Sequence, residues 1–136
     1  MRNRIALVAG VAILLAGIAV FGLTLQTTQT ATPVISQEKL LELIDSEEEI
    51  LILDVRTQQE FDGGRVPGAV LIPHTEVMSR VGEIVDFLDK PVVVYCEAGG
   101  RARLAENELR EAGFTNLQHL EGDMRAWKAN GRPLEK

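Results

Sequence analysis

The chain has 136 residues, with 20 acidic residues against 14 basic ones and a formal net charge of −6. This length suffices for one domain of ordinary size. The acidic balance argues against nucleic acid or anionic lipid headgroups as partners, because both are negatively charged. The chain holds one cysteine, so it cannot form an internal disulfide.

The first predicted element is an apolar run of 21 residues, from Ile5 to Leu25, which follows a short basic start. As a helix rising 1.5 Å per residue the run is about 31 Å long, close to the thickness of a bilayer core. Residues 1–25 therefore predict an N-terminal hydrophobic helix that anchors the protein. A cleaved signal peptide is the alternative, but its apolar region would be shorter and the best cleavage site, near Ala31, is a poor match.

The positive charges around this run predict its orientation. Arg2 and Arg4 precede it, and no Lys or Arg follows until Lys39, so the N-terminus stays in the cytoplasm and the rest is exported. We expect a protein anchored in the inner membrane with its domain in the periplasm, or secreted to the periplasm if the segment is cleaved. Residues 26–33, rich in Thr and Gln, predict a linker. Residues 34–136 predict one domain with 20 acidic and 12 basic residues, a charge of −8.

Helix and strand patterns alternate along this domain. Ser36 is a predicted N-cap for an amphipathic helix over 37–44, and the apolar run 50–53 predicts a strand buried on both faces. The later patterns predict a helical turn at 57–61, a strand at 69–72, a helix over 77–88, a strand at 91–95, a helix over 101–111, a strand at 117–120 and a helix at 122–129. The alternation predicts an α/β fold whose parallel sheet is covered on both faces.

The only cysteine, Cys96, lies where a buried strand gives way to a helix. Gly99, Gly100 and Arg101 follow it and open the helical pattern. Backbone N–H groups at a helix N-terminus favour an anion, and the ionised form of a thiol is its nucleophilic form. The position therefore predicts a nucleophilic cysteine. A buried, inert cysteine at a strand end is the alternative.

Four blocks of the domain resemble the rhodanese (sulfurtransferase) family. They are Leu53–Phe61, Gly64–Pro73, Tyr95–Arg101, and Leu120–Trp127 followed by Gly131–Leu134. The second block departs from the family, which usually has His where Arg65 stands. The resemblance covers about residues 34–134. It implies a five-stranded parallel sheet with helices on both sides and a cysteine that carries a sulfane sulfur as a persulfide. It implies no metal and no organic cofactor.

The resemblance also implies roles for particular residues. Cys96 is the catalytic nucleophile, and the loop that binds substrate and stabilises the persulfide consists of Glu97, Ala98, Gly99, Gly100 and Arg101. Arg101 closes this loop and offers its fixed N–H donors to an anionic substrate. Asp54, Arg56 and Arg65 are supporting residues: the first two tie a strand end to its neighbouring loops, and Arg65 has anion binding near the pocket as an alternative role. His74 and His119 lack the spacing of a metal site and receive no role.

The predicted function is transfer of a sulfane sulfur from a donor (polysulfide, persulfide or thiosulfate) to a thiophilic acceptor (cyanide or a thiol). Thiosulfate-using members of the family often carry Arg directly after the cysteine, whereas this chain has Glu97, whose charge is expected to repel a dianionic donor. The loop from Cys96 to Arg101 is one residue shorter than in phosphatases that share the fold, which favours sulfur transfer over phosphoester hydrolysis. A non-catalytic, membrane-tethered module that binds sulfur or a partner is the alternative.

Overall fold

The computed structural model describes residues 30–136. The predicted N-terminal segment, residues 1–25, and the first part of the predicted linker lie outside the described residues. Within residues 30–136, no helix combines the length and the apolar character that a membrane crossing requires.

Five parallel strands form the centre of the domain. In chain order they are β1 (Val34–Ile35), β2 (Leu51–Asp54), β3 (Val70–Leu71), β4 (Val92–Tyr95) and β5 (Leu117–Leu120). Their order across the sheet is β1-β5-β4-β2-β3, and every neighbouring pair is parallel. Each residue of β2 and β4 is buried. Apart from Asp54 at the end of β2, both strands consist of apolar residues, as expected of strands covered by helices on both faces.

Five α-helices flank the sheet: α1 (Gln37–Asp45), α2 (Gln58–Asp62), α3 (Val77–Arg80), α4 (Gly100–Glu111) and α5 (Asp123–Ala129). Alternate residues of the strands enter two separate apolar clusters, as the pleat of a strand requires. Leu53 packs in the cluster that holds apolar side chains of α3 and α4. Ile52 packs in the cluster that holds Leu40 of α1 and Trp127 of α5. The core therefore lies in two layers, one on each side of the sheet.

The predicted α/β fold with a five-stranded parallel sheet is confirmed, and two local details differ. β1 is a strand that the sequence patterns did not predict, because two residues are too few to show a period. The predicted helix over 77–88 is α3 followed by a 3-10 helix, Val81–Phe87. Gly82 lies where the helix type changes, and glycine has a low propensity for the α-helix.

The sheet places the candidate site at one edge. In parallel strands the carboxyl ends lie at the same edge of the sheet, and ligands of such folds bind there. β4 is the central strand and Cys96 follows it directly, flanked by the ends of β2 and β5. The loops that follow these three strands are therefore neighbours in space.

Candidate active site

Cys96 is a free cysteine buried at the carboxyl end of β4, with 1% of its surface exposed. Its side chain packs in the apolar cluster shared by α3 and α4. The backbone N–H of Gly99 donates a hydrogen bond to Sγ at 3.0 Å. The sequence analysis assigned stabilisation of the persulfide to the whole loop from Glu97 to Arg101, and within residues 30–136 Gly99 alone donates a hydrogen bond to Sγ. The sulfur therefore has a polar donor on one side and hydrocarbon around it.

Gly99 is the N-cap of α4 and has a φ of +104°, a conformation that residues with a Cβ rarely adopt. A Cβ at this position would lie 3.0 Å from Oδ2 of Asp123. The backbone conformation and the lack of space thus both require glycine. This conformation directs the Gly99 N–H toward the sulfur of Cys96.

The first turn of α5 holds the backbone of the loop. The Cys96 N–H donates to Oδ1 of Asp123 at 2.9 Å. The Cys96 carbonyl accepts from the N–H of Met124, and the Glu97 carbonyl accepts from the N–H of Arg125, both at 3.0 Å. These three hydrogen bonds hold the start of the loop against the element that follows β5.

Arg101, in the first turn of α4, forms a two-pronged ion pair with Glu60 of α2. Its two terminal nitrogens donate to the two carboxylate oxygens at 2.7 and 2.8 Å. Glu60 also accepts from the N–H of Thr57 and so completes a capping box at the start of α2. Hydrogen bonds from Arg101, and then from Thr57, lower the pKa of Glu60 to about 2, although partial burial acts in the opposite direction.

The pairing also fixes the charge of Arg101. The hydrogen bond to Glu60 is the largest cause that raises the pKa of Arg101 above its usual value, and electrostatic interactions with Glu60, Cys96 and Asp54 add to it. Sequence reasoning did not select Glu60. The Thr57-x-x-Glu60 spacing could have revealed the capping role of Glu60. Its pairing with Arg101 joins residues 41 positions apart, and no local spacing indicates such a contact.

Asp54 and Arg56 form a buried network at the end of β2. Arg56 donates through its side chain to both oxygens of Asp54 and also to the carbonyl of Gly64 at 2.8 Å. The hydroxyl of Tyr95 donates to Asp54 at 2.7 Å and accepts from the N–H of Val66. Burial, and then the charge of Asp54, raise the pKa of Tyr95 well above its usual value, so its hydroxyl stays neutral. The network ties β2, β4 and the 64–66 loop together.

Glu97 extends toward two cations. Its Oε2 lies 3.6 Å from Nη1 of Arg56 and 3.5 Å from Nζ of Lys128. Nη1 of Arg56 is buried and has no hydrogen-bond partner among residues 30–136. The negative charge that the sequence analysis assigned to the loop is therefore partly balanced by Arg56 and Lys128.

The remaining predicted site residues lie at the rim of the loop or outside it. Ala98 and Gly100 are exposed on either side of the buried Gly99. The guanidinium of Arg65 pairs with Glu135 at 3.0 Å and stacks over the ring of Phe61 at 4.4 Å. These contacts join the 64–68 loop to the C-terminal residues and to α2 rather than to the cysteine loop.

One group next to the site received no role in the sequence analysis. His119 of β5 contacts Glu106 of α4 through Nδ1 and Asp123 of α5 through Nε2, the latter at 2.9 Å. Hydrogen bonds to Asp123 and then to Glu106 raise the pKa of His119 to about 10. The three residues are brought together by a strand and two helices, so no sequence spacing indicates the cluster. In the part of the chain that the structure describes, no group of His, Cys, Asp or Glu side chains is arranged to hold a metal ion.

The chain is thus an α/β protein with a parallel sheet and a cysteine at the end of its central strand, in the loop that leads into α4. Residues 36–130 match the Rhodanese-like domain family, and the chain belongs to that family.

Named relatives are similar over most of the described domain. A sulfurtransferase from Allochromatium vinosum is 32% identical over 100 residues, which cover 74% of this chain and 92% of that protein. The putative sulfur carrier protein YrkF of Bacillus subtilis is 32% identical over 98 residues, 72% of this chain but 52% of YrkF. The crystal structure of a rhodanese-related protein from Thermoplasma volcanium superposes with a TM-score of 0.66 at 27% identity, covering 76% of this chain and 97% of that one.

Proposed function

We propose that this protein is a sulfurtransferase that carries a sulfane sulfur as a persulfide on Cys96. The observation that carries the proposal is the hydrogen bond from the Gly99 N–H to Sγ of Cys96 at 3.0 Å. A fixed N–H aimed at sulfur stabilises negative charge there, and such preorganised donors are an effective means of catalysis. Relatives named as a sulfurtransferase and a putative sulfur carrier support the same reaction class.

The first half-reaction loads the cysteine. The Cys96 thiolate attacks the outer sulfur of the donor, a new S–S bond forms, and the donor's own bond to that sulfur breaks. The electron pair leaves with the rest of the donor, as a thiolate from a persulfide, as a polysulfide one sulfur shorter from a polysulfide, or as sulfite from thiosulfate. In the second half-reaction a thiol or cyanide attacks the outer sulfur, and the pair returns to Cys96. The cycle regenerates the thiolate and needs no external oxidant or reductant.

The surrounding charges suit this cycle, because a negative charge lies on sulfur both before and after loading. Arg101 is a permanent cation in the first turn of α4, and Glu60 fixes its direction. The loop geometry itself is held by Gly99 and by the hydrogen bond from Cys96 to Asp123. The N–H donor and the cation that stabilise negative charge on the sulfur are thus held in place and do not need to reorganise during each transfer.

Intact-mass spectrometry tests the proposal directly. After incubation with polysulfide, the wild-type chain is expected to gain one sulfur atom, to lose it on addition of cyanide, and to release thiocyanate over many turnovers. Cys96→Ser is expected to gain no sulfur. A Cys96→Ser variant that retained transfer activity, or a wild-type chain that never gained sulfur from polysulfide, glutathione persulfide or thiosulfate, would refute the proposal.

A second candidate function is a tethered carrier that holds the persulfide for a protein partner without free turnover. The burial of Cys96, 1% exposed, favours it, because a sealed sulfur is shielded from small acceptors in solution. In the same experiment a carrier gains the sulfur atom and does not release thiocyanate in multiple turnovers.

We also propose that residues 1–25 anchor the chain in the inner membrane and that the domain lies in the periplasm. The proposal is supported by the 21-residue apolar run behind two arginines. Fractionation of cells that express the full chain, followed by protease treatment of spheroplasts, tests it. The domain is expected in the membrane fraction and accessible to protease, and a protected, freely dissolved chain would contradict the proposal.

A further inference from the structure

A buried cluster of three charged side chains lies directly behind the cysteine loop. Glu106 and Asp123 are each 3% exposed and His119 is 9% exposed. Nδ1 of His119 contacts a carboxylate oxygen of Glu106, and Nε2 lies 2.9 Å from Oδ2 of Asp123. A neutral imidazole has one N–H, so its other nitrogen would face a carboxylate with a lone pair. Only the doubly protonated ring donates to both carboxylates. The geometry therefore defines His119 as a buried cation.

The charges around this ring come from two helices. Glu106 lies on α4 and Asp123 at the start of α5. A cavity of about 300 Å³ beside the ring is also lined by Arg103 and Arg110 of α4, and residues 30–34 contribute no titratable side chain to it. The Arg110 guanidinium donates to neutral oxygens of Asn107 and Thr32. The direct partners of His119 are therefore the two carboxylates, which both favour its charged form.

Asp123 connects this cation to the loop. Its Oδ2 faces His119, and its Oδ1 accepts the hydrogen bond from the Cys96 N–H at 2.9 Å. The loop also lies against the ring itself, because a Cβ on Gly99 would be 3.6 Å from Nε2 of His119. Asp123 has a φ of +54°, which is costly for a residue other than glycine. A strained conformation of this kind persists where other interactions hold it in place. Here the two contacts of the Asp123 carboxylate, with the Cys96 N–H and with His119, do so.

We propose that the His119 cation is a positioning residue for Cys96: it holds Asp123, and Asp123 in turn holds the backbone of the loop that places Sγ beneath the Gly99 N–H. The proposal rests on the function proposed for Cys96. Loss of the proton from His119 leaves one of two buried carboxylates facing a lone pair. With the positive charge gone, the attraction that holds Asp123 against the ring weakens, so Asp123 releases the Cys96 amide and the loop loses its alignment.

The pH at which this release occurs depends on Glu106. With both carboxylates present the pKa of His119 is about 10. In Glu106→Gln the amide oxygen still accepts a hydrogen bond but the negative charge is gone, so the pKa of His119 falls by roughly 1–2 units. Release of the loop therefore begins at a correspondingly lower pH in this variant. Glu111→Gln makes the same chemical change at an exposed position of the same helix and is the matched control.

Two measurements on the full chain test the proposal. NMR follows the His119 ring signal and the Cys96 and Gly99 amide signals with pH, and rapid quenching with mass detection follows the rate of persulfide formation from polysulfide. In Glu106→Gln we expect the two amide signals to move with the same midpoint as the ring. Above that midpoint persulfide formation should fall by roughly 10–100-fold, as small misplacements of reacting groups cause. Glu111→Gln should behave as wild type.

Amide signals of Cys96 and Gly99 that stay constant while His119 titrates would overturn the proposal, and so would a pH profile in Glu106→Gln identical to that of wild type. If Glu106→Gln does not fold, wild type titrated through its own midpoint tests the same coupling by NMR. If wild type forms no persulfide, the proposed function of Cys96 fails, and the amide signals still decide whether His119 positions the loop.

Discussion

The ion pair between Arg101 and Glu60 yields a quantitative prediction for the substitution Glu60→Gln. Glutamine keeps an oxygen that can accept from the Thr57 N–H at this position of a capping box. It removes the negative charge that Arg101 binds with both terminal nitrogens. The substitution therefore tests the ion pair while leaving the start of α2 largely intact.

The magnitude follows from the pKa of Glu60, which is lowered from 4.5 to about 2. Such a difference corresponds to roughly 3 kcal/mol in favour of the ionised form. The two side chains are 28% and 32% exposed, so solvent screens the pair. We therefore expect Glu60→Gln to lower the free energy of unfolding at pH 7 by about 1–2 kcal/mol.

The lowered pKa of Glu60 also predicts how the stability difference between wild type and Glu60→Gln changes with pH. A carboxylate whose pKa is lowered in the folded state contributes its full stability above the unfolded value of 4.5 and loses it as the pH falls toward about 2. Urea unfolding of wild type and Glu60→Gln should thus differ at pH 7 and converge between pH 4.5 and 2. In the control Glu83→Gln, which breaks an exposed pair with Arg80, the loss should be much smaller. Equal stabilities at pH 7, or a difference that persists unchanged to pH 2, would refute the reasoning.

Four further substitutions, with Gly82→Ala as a control, test the loop and its support. Gly99→Ala places a Cβ at a positive φ and 3.0 Å from a carboxylate oxygen, so it should lower the free energy of unfolding by about 1–3 kcal/mol. The control Gly82→Ala has open space around it and should not destabilise the protein. Urea unfolding of both variants measures the difference. Tyr95→Phe removes a buried hydroxyl with two hydrogen-bond partners, and a loss of about 1–3 kcal/mol is expected by the same method; a stability equal to that of wild type would contradict the network. Glu97→Gln should raise the ratio of the rate with thiosulfate to the rate with polysulfide. Lys128→Gln should lower this ratio, because Lys128 offsets the charge of Glu97. Steady-state rates that leave the ratio unchanged in both variants would show that this charge does not select the donor.

Much of the fold was predictable from local patterns. The predicted N-cap Ser36 accepts from the N–H of Lys39 at the start of α1, and the apolar run 50–53 overlaps β2, whose residues are all buried. Gly113 lies two residues after the end of α4 and has a φ of +99°, a conformation that favours glycine at a helix end. Each of these features depends on residues within one or two turns of the chain, and this is the range over which periodicity and capping act.

The candidate site was predictable only as a segment. The sequence placed Cys96 and Gly99 between a buried strand and a helix that begins at Arg101, and in the structure they lie between the end of β4 and the first turn of α4, which holds Arg101. It did not indicate which of the loop amides meets the sulfur, because that depends on the φ of Gly99 and on the carboxylate behind it.

By itself, the sequence determined the order and kind of most elements, apart from β1 and the 3-10 helix Val81–Phe87. It also determined the two-sided burial of the apolar strands and the position of the only cysteine, because hydrophobic period, caps and turn residues act over short distances. Tertiary structure alone decided the partners: Glu60 for Arg101, Asp123 for the Cys96 amide, and Glu106 for His119. The residues of these pairs are 41, 27 and 13 positions apart in the sequence. They meet because the parallel sheet brings the ends of its strands to one edge, and no local pattern of residues encodes which side chains then face each other.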